Sequence, residues 1–269
     1  MIPNELYTSV ERERSNTVIA SIDIVNKTFD DDPEPVHVIS GVRFNVRHRE
    51  FVGVLGPSGC GKTSLLRLIA GLDLNYEGSV MVNGRSVKGP GTDRGLMFQE
   101  SRLFPWFTAL QNVSFALTRG MARKEAREIA KTALDRVGLA EVANAWPHQL
   151  SGGMLKRIAL ARAIVIVPQI LLLDEPLANL DEPAKYSLQD EIAHIHAYGK
   201  ETFLLVTHDV DEAVFLSDRI VILSPKPSRV LTEIEVKLDR PRDRASSSFQ
   251  RVCHEVSRII FSHWRKKLI

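Results

Sequence analysis

An eight-residue segment in the first quarter of the chain has the residue types and spacing needed to hold a phosphate group. It satisfies the pattern G-x-x-x-x-G-K-[ST] and consists of Gly56, Pro57, Ser58, Gly59, Cys60, Gly61, Lys62 and Thr63. Glycines let successive backbone N–H groups point at one anion, Lys62 reaches the outer phosphates, and the Thr63 hydroxyl can bind Mg²⁺. We therefore expect a binding loop for ATP or GTP, the alternative being an ordinary glycine-rich turn.

Two adjacent carboxylates follow a short apolar run further along the chain. Asp174 and Glu175 come directly after Ile170–Leu173, which is typical of a strand buried on both faces. Ligands bind at the carboxyl ends of such strands, so both side chains are expected to face the phosphates. Asp174 suits Mg²⁺, and Glu175 could polarise the water that attacks the γ-phosphate. Taken alone, the pair could equally be an acidic turn that caps the next helix.

A second glycine-bearing helix start lies between these two motifs. Ser151, Gly152 and Gly153, within Leu150–Met154, precede a helix that we expect to begin at about Leu155. A helix N-terminus favours bound phosphate, so this segment could supply a second phosphate contact. Ser-Gly-Gly is also an ordinary loop sequence, and its position between the other two motifs is what favours the phosphate interpretation.

The elements that must position these residues are predicted from apolar patterning. Alternation over residues 18–25 and 42–46, with a hairpin at Asn83-Gly84, indicates an antiparallel β layer. Three- and four-residue spacing over 126–137 indicates helices, and residues 100–163 are interpreted as an inserted helical subdomain. Continuous apolar runs typical of buried parallel strands occupy residues 51–55, 170–173, 203–206 and 220–223. The predicted fold class is α/β, with an antiparallel β subdomain and an inserted α-helical subdomain.

Composition and charge argue against several classes of protein. The chain has 269 residues, with 35 Lys and Arg against 33 Asp and Glu, and its net charge of +2 gives no support to nucleic-acid binding. Its apolar runs fall short of the ~20 residues that cross a bilayer. The polar segment 1–17 lacks the pattern of a signal peptide, and Cys60 and Cys253 have no neighbouring metal ligands. We expect a globular protein in a reducing cytosol.

The ordered set of motifs resembles the nucleotide-binding subunits of ABC transporters. Gly56–Thr63, Gln99, Leu150–Met154, Leu173-Asp174-Glu175 and His208 occur in the order of that family, and the resemblance covers about Val18–Leu238. It implies a P-loop NTPase (RecA-like) core, ATP and Mg²⁺ as cofactors, and hydrolysis of ATP to ADP and phosphate as the reaction.

The resemblance also assigns roles to four residues outside the three motifs. Gln99 would contact Mg²⁺ and sense a membrane partner, and His208 would contact the γ-phosphate and support hydrolysis. Phe29 would stack on adenine, and Asp181 would lie in a loop at a dimer interface. The plainer alternatives are a polar residue that closes a strand, a structural histidine and a core phenylalanine. Asn179 departs from the family, which more often has alanine before the leucine of that loop.

Partners follow from the same resemblance. Ser151–Gly153 of one subunit would complete the P-loop site of a second copy, head to tail. The subunit would lie at the cytoplasmic face of the membrane, bound to permease subunits, with a periplasmic or lipoprotein solute-binding protein in the full complex. Leu103–Trp106 would receive a helix of the membrane subunit, unless it forms part of the core of the helical insert. No nucleic-acid partner is expected.

Three features most resemble the branch that imports nitrate, sulfonate or taurine: Leu103–Trp106, Met154, and the tail Arg240–Arg244 with Phe249. Leu155-Lys156 departs slightly from that branch. The expected domains are a polar tail over 1–17, an ABC ATPase domain over 18–238 with the helical subdomain at about 100–163, and a linker with an amphipathic helix over 239–269.

Two other classes share part of this pattern. A soluble ABC-type ATPase acting on DNA, ribosomes or Fe–S assembly would keep every nucleotide-binding residue. The lack of a long coiled-coil insertion, of a tandem second ATPase domain and of a strong basic field argues against it. A non-hydrolysing, nucleotide-gated scaffold would not need Glu175 or His208. The transported solute is not encoded in this chain, because other subunits would recognise it.

Overall fold

A computed structural model describes residues 17–30, 34–117, 120–199 and 201–264 of the chain. The predicted polar tail over 1–17 therefore lies outside the described residues except for Thr17. The chain divides into two compact units. The first unit joins the residues up to Gly91 with those from Thr202 onward, and the second unit comprises Thr92–Glu201.

The first unit contains the predicted antiparallel β layer. Its strands are β1 (Val18–Phe29), β2 (Val36–Arg47), β4 (Glu77–Val82) and β5 (Arg85–Ser86), in the order β2-β1-β4-β5. Buried and exposed residues alternate along β1 and β2, as in a sheet with one face on the core. Asn83 and Gly84 have φ angles of 50° and 71°, so the tight hairpin predicted from Asn-Gly is confirmed.

A mostly parallel group of strands forms the centre of the same unit. It consists of β3 (Phe51–Leu55), β8 (Thr202–Thr207), β9 (Arg219–Leu223) and β10 (Val230–Glu235). β3 pairs in parallel with both β8 and β9, and β10 pairs antiparallel with β9. Every residue of β3, β8 and β9 is buried, which confirms the interpretation of their continuous apolar runs. The helices of this unit are α1 (Lys62–Ile69), α6 (Val210–Leu216) and α7 (Ser247–Trp264).

The second unit is mainly helical. It contains the parallel strands β6 (Arg94–Met97) and β7 (Ile170–Asp174), and the helices α2 (Ala109–Ser114), α3 (Arg123–Arg136), α4 (Gly152–Ile164) and α5 (Glu182–Tyr198). The small buried face of α3, built on Ala126, Ala130 and Ala133, allows α2, α3 and α4 to pack closely. α4 begins at Gly152, three residues before the expected start, because the Ser151 hydroxyl caps it by accepting the Met154 N–H at 3.3 Å.

The C-terminal part of the chain differs from the expected linker. The Arg242 side chain is 2% exposed, and it donates to backbone carbonyls at the end of α6 in the same unit. α7 follows, and the Ser246 hydroxyl caps its start by accepting the Phe249 N–H at 3.2 Å. Phe249, Cys253, Val256 and Ile260 form its buried face. Within the described part of the chain, no helix combines the length and apolarity needed to cross a bilayer.

Candidate functional site

The phosphate-binding motif forms the loop between β3 and α1, as the sequence predicts. Gly59 and Gly61 have φ angles of 75° and 108°, in the region that glycine adopts without strain. A Cβ atom at Gly61 would also lie 2.6 Å from the Val38 Cγ1 atom. Gly61 is the N-cap of α1, so the loop delivers its backbone N–H groups and the helix N-terminus to one point.

Lys62 lies inside this loop. It is 5% exposed, and its ammonium donates to the carbonyls of Gly56 and Pro57 at 2.9 and 3.1 Å. Thr63, in the first turn of α1, is exposed, whereas Cys60 is buried beneath the loop. A Cβ atom at Gly56 would lie 2.7 Å from the Cys60 Sγ atom, so glycine is required there by close packing. The loop therefore has a fixed shape with a cation at its centre.

The structure brings His208 to the same sheet edge as this loop. β3 and β8 are in register up to the pair Leu55 and Thr207, and the Gly56 N–H donates to the Thr207 carbonyl at 3.3 Å. His208 is the next residue, and it is exposed. The predicted placement of His208 near the phosphate loop is thus what strand pairing produces.

A buried acid beside His208 escaped the sequence reasoning. Glu212 is 4% exposed and accepts a hydrogen bond from the Thr207 hydroxyl at 2.6 Å. The Asp209 N–H donates to the Thr207 hydroxyl oxygen at 3.0 Å, and the Glu212 N–H donates to the Asp209 carboxylate at 3.1 Å. Asp209 and Glu212 have the spacing of a helix-capping pair, which is the signal that could have identified them.

Phe29 also lies near the loop, through its place in β1. It pairs with Val36 of β2, and two residues further along that strand Val38 contacts Gly61. The Lys27 ammonium lies 4.4 Å from the centre of the Phe29 ring, within cation–π range. The half-buried ring is thus an aromatic surface near the loop.

Lys27 is anchored by an ion pair that the sequence did not reveal. Its Nζ atom lies 2.9 Å from Asp73 Oδ2 and donates to the Asn75 carbonyl at 2.6 Å. Burial alone would raise the pKa of Asp73, but hydrogen bonds from Lys27 and the Asn75 N–H, with the lysine charge, hold it below its usual value of 3.8. The strand that carries Phe29 is therefore fastened to the chain that follows α1.

In the second unit, strand pairing brings together the other predicted polar residues. β6 and β7 are parallel and in register up to Met97 and Leu173. Gln99 follows β6 and is exposed, and Asp174 ends β7 and is 4% exposed. Glu175 has a φ angle of 42°, which is uncommon for a residue with a side chain and typical of a functional turn. The three side chains thus share one end of this strand pair.

Two cations of α4 hold the segment that begins at Gln99. The buried Lys156 ammonium donates to the Gln99 carbonyl, and the Arg162 guanidinium donates to the carbonyls of Ser101 and Arg102 at 2.8 and 2.9 Å. Burial lowers the pKa of Arg162 below its usual value of 12.5. In the sequence, Lys156 is distinguished only as a departure from the importer branch. In the structure, its side chain contacts the Gln99 carbonyl.

The predicted second phosphate contact and the predicted interface loop are neighbours in this unit. Ser151 and Gly152 are exposed at the start of α4. A Cβ atom at Gly152 would lie 3.7 Å from the Leu180 Cδ2 atom. Asp181, at the N-cap position of α5, is exposed and makes no capping hydrogen bond through its side chain. Asn179 has a φ angle of 63°, which asparagine tolerates better than alanine, and this accounts for the departure at that position.

An aromatic cluster with an adjacent groove lies elsewhere in the second unit. The Phe104 ring centre lies 5.7, 5.4 and 4.9 Å from those of Trp106, Phe107 and Phe115. Trp106 is 64% exposed, which favours a surface patch over a closed core. A groove of about 770 Å³ beside the cluster is lined by Phe107, Leu110, Phe115, Arg123, Lys124 and Arg127, among others.

The fold and the geometry of the loop define a P-loop nucleotide-binding protein. Comparison with known proteins then narrows the class. The profile of the family described as ABC transporter matches residues 39–178. The chain belongs to the ABC transporter family.

Relatives of assigned role align over most of the chain. The aliphatic sulfonates import ATP-binding protein SsuB of Bacillus licheniformis is 44% identical over 238 residues, covering 88% of this chain and 92% of that protein. The nitrate import ATP-binding protein NrtD of Synechococcus elongatus is 40% identical over 233 residues, covering 85% of each chain. The predicted resemblance to the nitrate and sulfonate importer branch is confirmed.

A solved structure supports the fold and the reaction. The dimeric, post-hydrolysis state of the ATP-binding cassette MJ0796, bound to ADP and Pi, is 31% identical, with a TM-score of 0.71, and covers 82% of this chain and 100% of that one. The predicted P-loop NTPase fold and ATPase activity are thereby confirmed.

Proposed function

We propose that this chain energises an importer for a small solute such as a sulfonate or nitrate, working at the cytoplasmic face of the membrane as a pair of ATPase subunits. The observation that carries the proposal is the placement of the Lys62 loop and His208 at one sheet edge. Identity of 44% to a sulfonate importer subunit supports the choice of solute class. A soluble, non-transport ABC ATPase is not favoured by these relatives.

The residues of the first unit are suited to bind and hold the nucleotide phosphates. Lys62 would exchange its two carbonyl partners for phosphate oxygens, while backbone N–H groups of the loop and the start of α1 bind the remaining charge. His208 would donate to the γ-phosphate, and the Phe29 ring would stack on the adenine base. Oxygen atoms of Thr63, Gln99 and Asp174 are the proposed ligands of Mg²⁺, a hard cation that prefers oxygen.

Hydrolysis requires a polarised water molecule, and Glu175 is the proposed residue for that role. Lys62→Ala should abolish ATP binding, since the loop loses the cation at its centre. Glu175→Gln should leave ATP binding within about twofold while slowing turnover by at least about a hundredfold. Equilibrium binding of a fluorescent ATP analogue and phosphate release measure the two effects. Equal loss of ATP binding in both variants would contradict the assigned roles.

The exposed start of α4 supports a head-to-tail dimer. Ser151, Gly152 and Gly153 offer backbone N–H groups and a hydroxyl to an anion outside their own unit, so a second copy could supply the nucleotide that they contact. The MJ0796 cassette is dimeric in solved structures, which supports the pairing of two copies.

The aromatic cluster and groove of the second unit are the proposed docking site of a permease helix. The chemistry of the groove defines that helix, because basic side chains of Arg123, Lys124 and Arg127 line it beside aromatic rings, and no acidic side chain of the described residues does so. An amphipathic helix with apolar anchors and acidic residues would complement it. A solute-binding protein would complete the complex outside the membrane.

Purification from native membranes tests the importer proposal. The tagged chain, extracted in detergent, should co-purify with a multi-spanning permease and show Mg²⁺-dependent, vanadate-sensitive ATP hydrolysis. Trp106→Ala should lose the permease while keeping basal hydrolysis. Tyr198→Ala, a matched control in the same unit with an 81% exposed aromatic ring, should keep both. Hydrolysis with soluble partners alone would favour a non-transport ATPase.

A further inference from the structure

Helix α6 follows His208 directly and is too short to fix its own position. It has seven residues, Val210–Leu216, and helices of that length have little stability without tertiary contacts. Like every helix, it leaves the carbonyl groups of its last turn without partners inside the helix. Groups that bind those carbonyls therefore determine where α6 lies, and with it the residue before it.

Those groups come from the segment that the sequence suggested was a linker. The buried Arg242 guanidinium donates through Nη1, at 2.7, 3.1 and 2.7 Å, to the carbonyls of Val214, Phe215 and Ser217. Arg240 donates to the Leu216 carbonyl at 2.5 Å and pairs with Asp218 at 2.8 Å. Burial lowers the pKa of Arg242 to about 10, so the guanidinium remains charged at neutral pH. Two cations thus close the C-terminal end of α6, where the helix dipole favours positive charge.

The other end of α6 transmits this fixed position to His208. Thr207 and Asp209, on either side of the histidine, are joined to Glu212 of α6 by the hydrogen bonds described above. The histidine backbone is therefore held by α6, and α6 is held by Arg242. A displacement of the helix end would move the His208 side chain relative to the phosphate loop.

The far end of α7 reaches the loop by a second route. The Trp264 indole N–H donates to the Leu223 carbonyl at 3.0 Å. Leu223 ends β9 and lies against the phosphate loop, since a Cβ atom at Gly56 would be 3.3 Å from the Leu223 Cβ atom. The buried face of α7 keeps the indole in place.

We propose that Arg242 and Trp264 are positioning residues for ATP hydrolysis. Arg242 acts through α6 on His208, and Trp264 acts through Leu223 on the phosphate loop. The inference rests on the proposed roles of His208 and the loop. The two residues have separate effects: turnover depends on Arg242, and nucleotide affinity depends on Trp264.

The first test is a double-mutant cycle between Arg242 and His208. Arg242→Met should lower kcat about tenfold and change KM for ATP by less than about twofold, whereas Arg251→Met, on the exposed face of α7, should change neither. In a His208→Ala background, Arg242→Met should have no further effect on kcat. Additive losses would overturn the inference, since they indicate a general structural role. An unchanged kcat in His208→Ala alone would instead overturn the proposed role of His208.

A second variant controls for the possibility that Arg242→Met lowers kcat by disrupting the fold. Arg242→Lys keeps the charge but loses the Nε and Nη2 donors, which reach the carbonyls of Leu238 and Val236 at 3.4 and 3.5 Å, and the planar geometry that holds Nη1 at the end of α6. It should therefore lower kcat about threefold while its thermal unfolding remains cooperative. Wild-type kcat in this folded variant would overturn the inference.

The second test concerns Trp264. Trp264→Phe keeps an aromatic ring but removes the N–H donor, and it should raise KM for ATP about fivefold, the effect of one lost hydrogen bond, with kcat nearly unchanged. Phe261→Leu, at a 61% exposed ring of the same helix, is the control and should leave KM unchanged. A wild-type KM in Trp264→Phe would overturn the role of the indole.

Discussion

Replacing Gly53 by alanine tests the contact between the phosphate-loop strand and the end of α6. Gly53 lies in the middle of β3, and a Cβ atom there would be 2.4 Å from Ser217 Oγ, 3.3 Å from Ser217 Cβ and 3.8 Å from Ala213 Cβ. Ser217 is fully buried, so its side chain has no open space to enter. Gly53→Ala should therefore destabilise the protein by about 1–3 kcal/mol, the usual range for overpacking a tight core.

The magnitude should depend on one atom, the Ser217 hydroxyl oxygen. Within the described residues this oxygen is buried and makes no hydrogen bond, so Ser217→Ala alone should be neutral or stabilising by up to about 1 kcal/mol. In the double variant the 2.4 Å contact disappears and the 3.3 Å contact to Cβ remains. We expect Gly53→Ala to be less harmful by about 1–2 kcal/mol in that background.

Urea unfolding of the wild type, the two single variants and the double variant, followed by circular dichroism, measures the coupling between Gly53 and Ser217. Comparable m-values would show that the change lies in the folded state. If the two substitutions add within about 0.5 kcal/mol, β3 and the end of α6 do not pack as described.

Three further predictions concern buried polar groups. Lys27→Met should destabilise the protein by about 3 kcal/mol by leaving Asp73 without its cation. The difference in unfolding free energy between variant and wild type, measured in urea, should shrink below pH 3.8, because protonation of Asp73 there removes the ion pair of the wild type. A difference that does not change with pH would contradict the ion pair. Lys156→Met should lower kcat for ATP about tenfold by releasing the Gln99 carbonyl, with Lys156→Arg recovering part of it; normal turnover in the folded Met variant would refute this role. Burial raises the pKa of Cys253 to about 12, so the free energy of unfolding should fall as pH rises above 9. Iodoacetamide at about pH 9 should modify the Cys253 thiol slowly until urea is added. Rapid modification of this thiol in the folded protein, mapped by mass spectrometry, would show that α7 is not docked.

The parts of the fold that sequence predicted are those fixed by local chemistry. The glycines of the phosphate loop need positive φ angles or close approach, and Asn83-Gly84 needs two positive φ angles, so residue type alone identifies them. Buried parallel strands are recognisable because both faces are apolar. These signals predict that His208 and Asp174 lie at strand ends. The pairing of those strands with their neighbours then brings each residue to the same edge as other predicted site residues.

The parts that sequence did not predict depend on contacts between distant residues. Arg242 lies in a polar stretch typical of a linker, and its buried state follows only from carbonyls at the end of α6. Lys156 has the composition of an exposed helix position, and its partner is 57 residues away. The ion pair of Lys27 with Asp73 spans 46 residues. Such pairs have no periodic pattern in one sequence.

The discontinuity of the first unit has a consequence for biosynthesis. β3 is made early, but its two partners, β8 and β9, leave the ribosome about 150 and 170 residues later. At a translation rate of about 5–20 residues per second, β3 is synthesised roughly 8–30 s before its first pairing partner, β8. During that interval both edges of a wholly apolar strand are unpaired, which is the condition that favours aggregation. The nascent chain should therefore depend on chaperone protection until β8 and β9 have been translated.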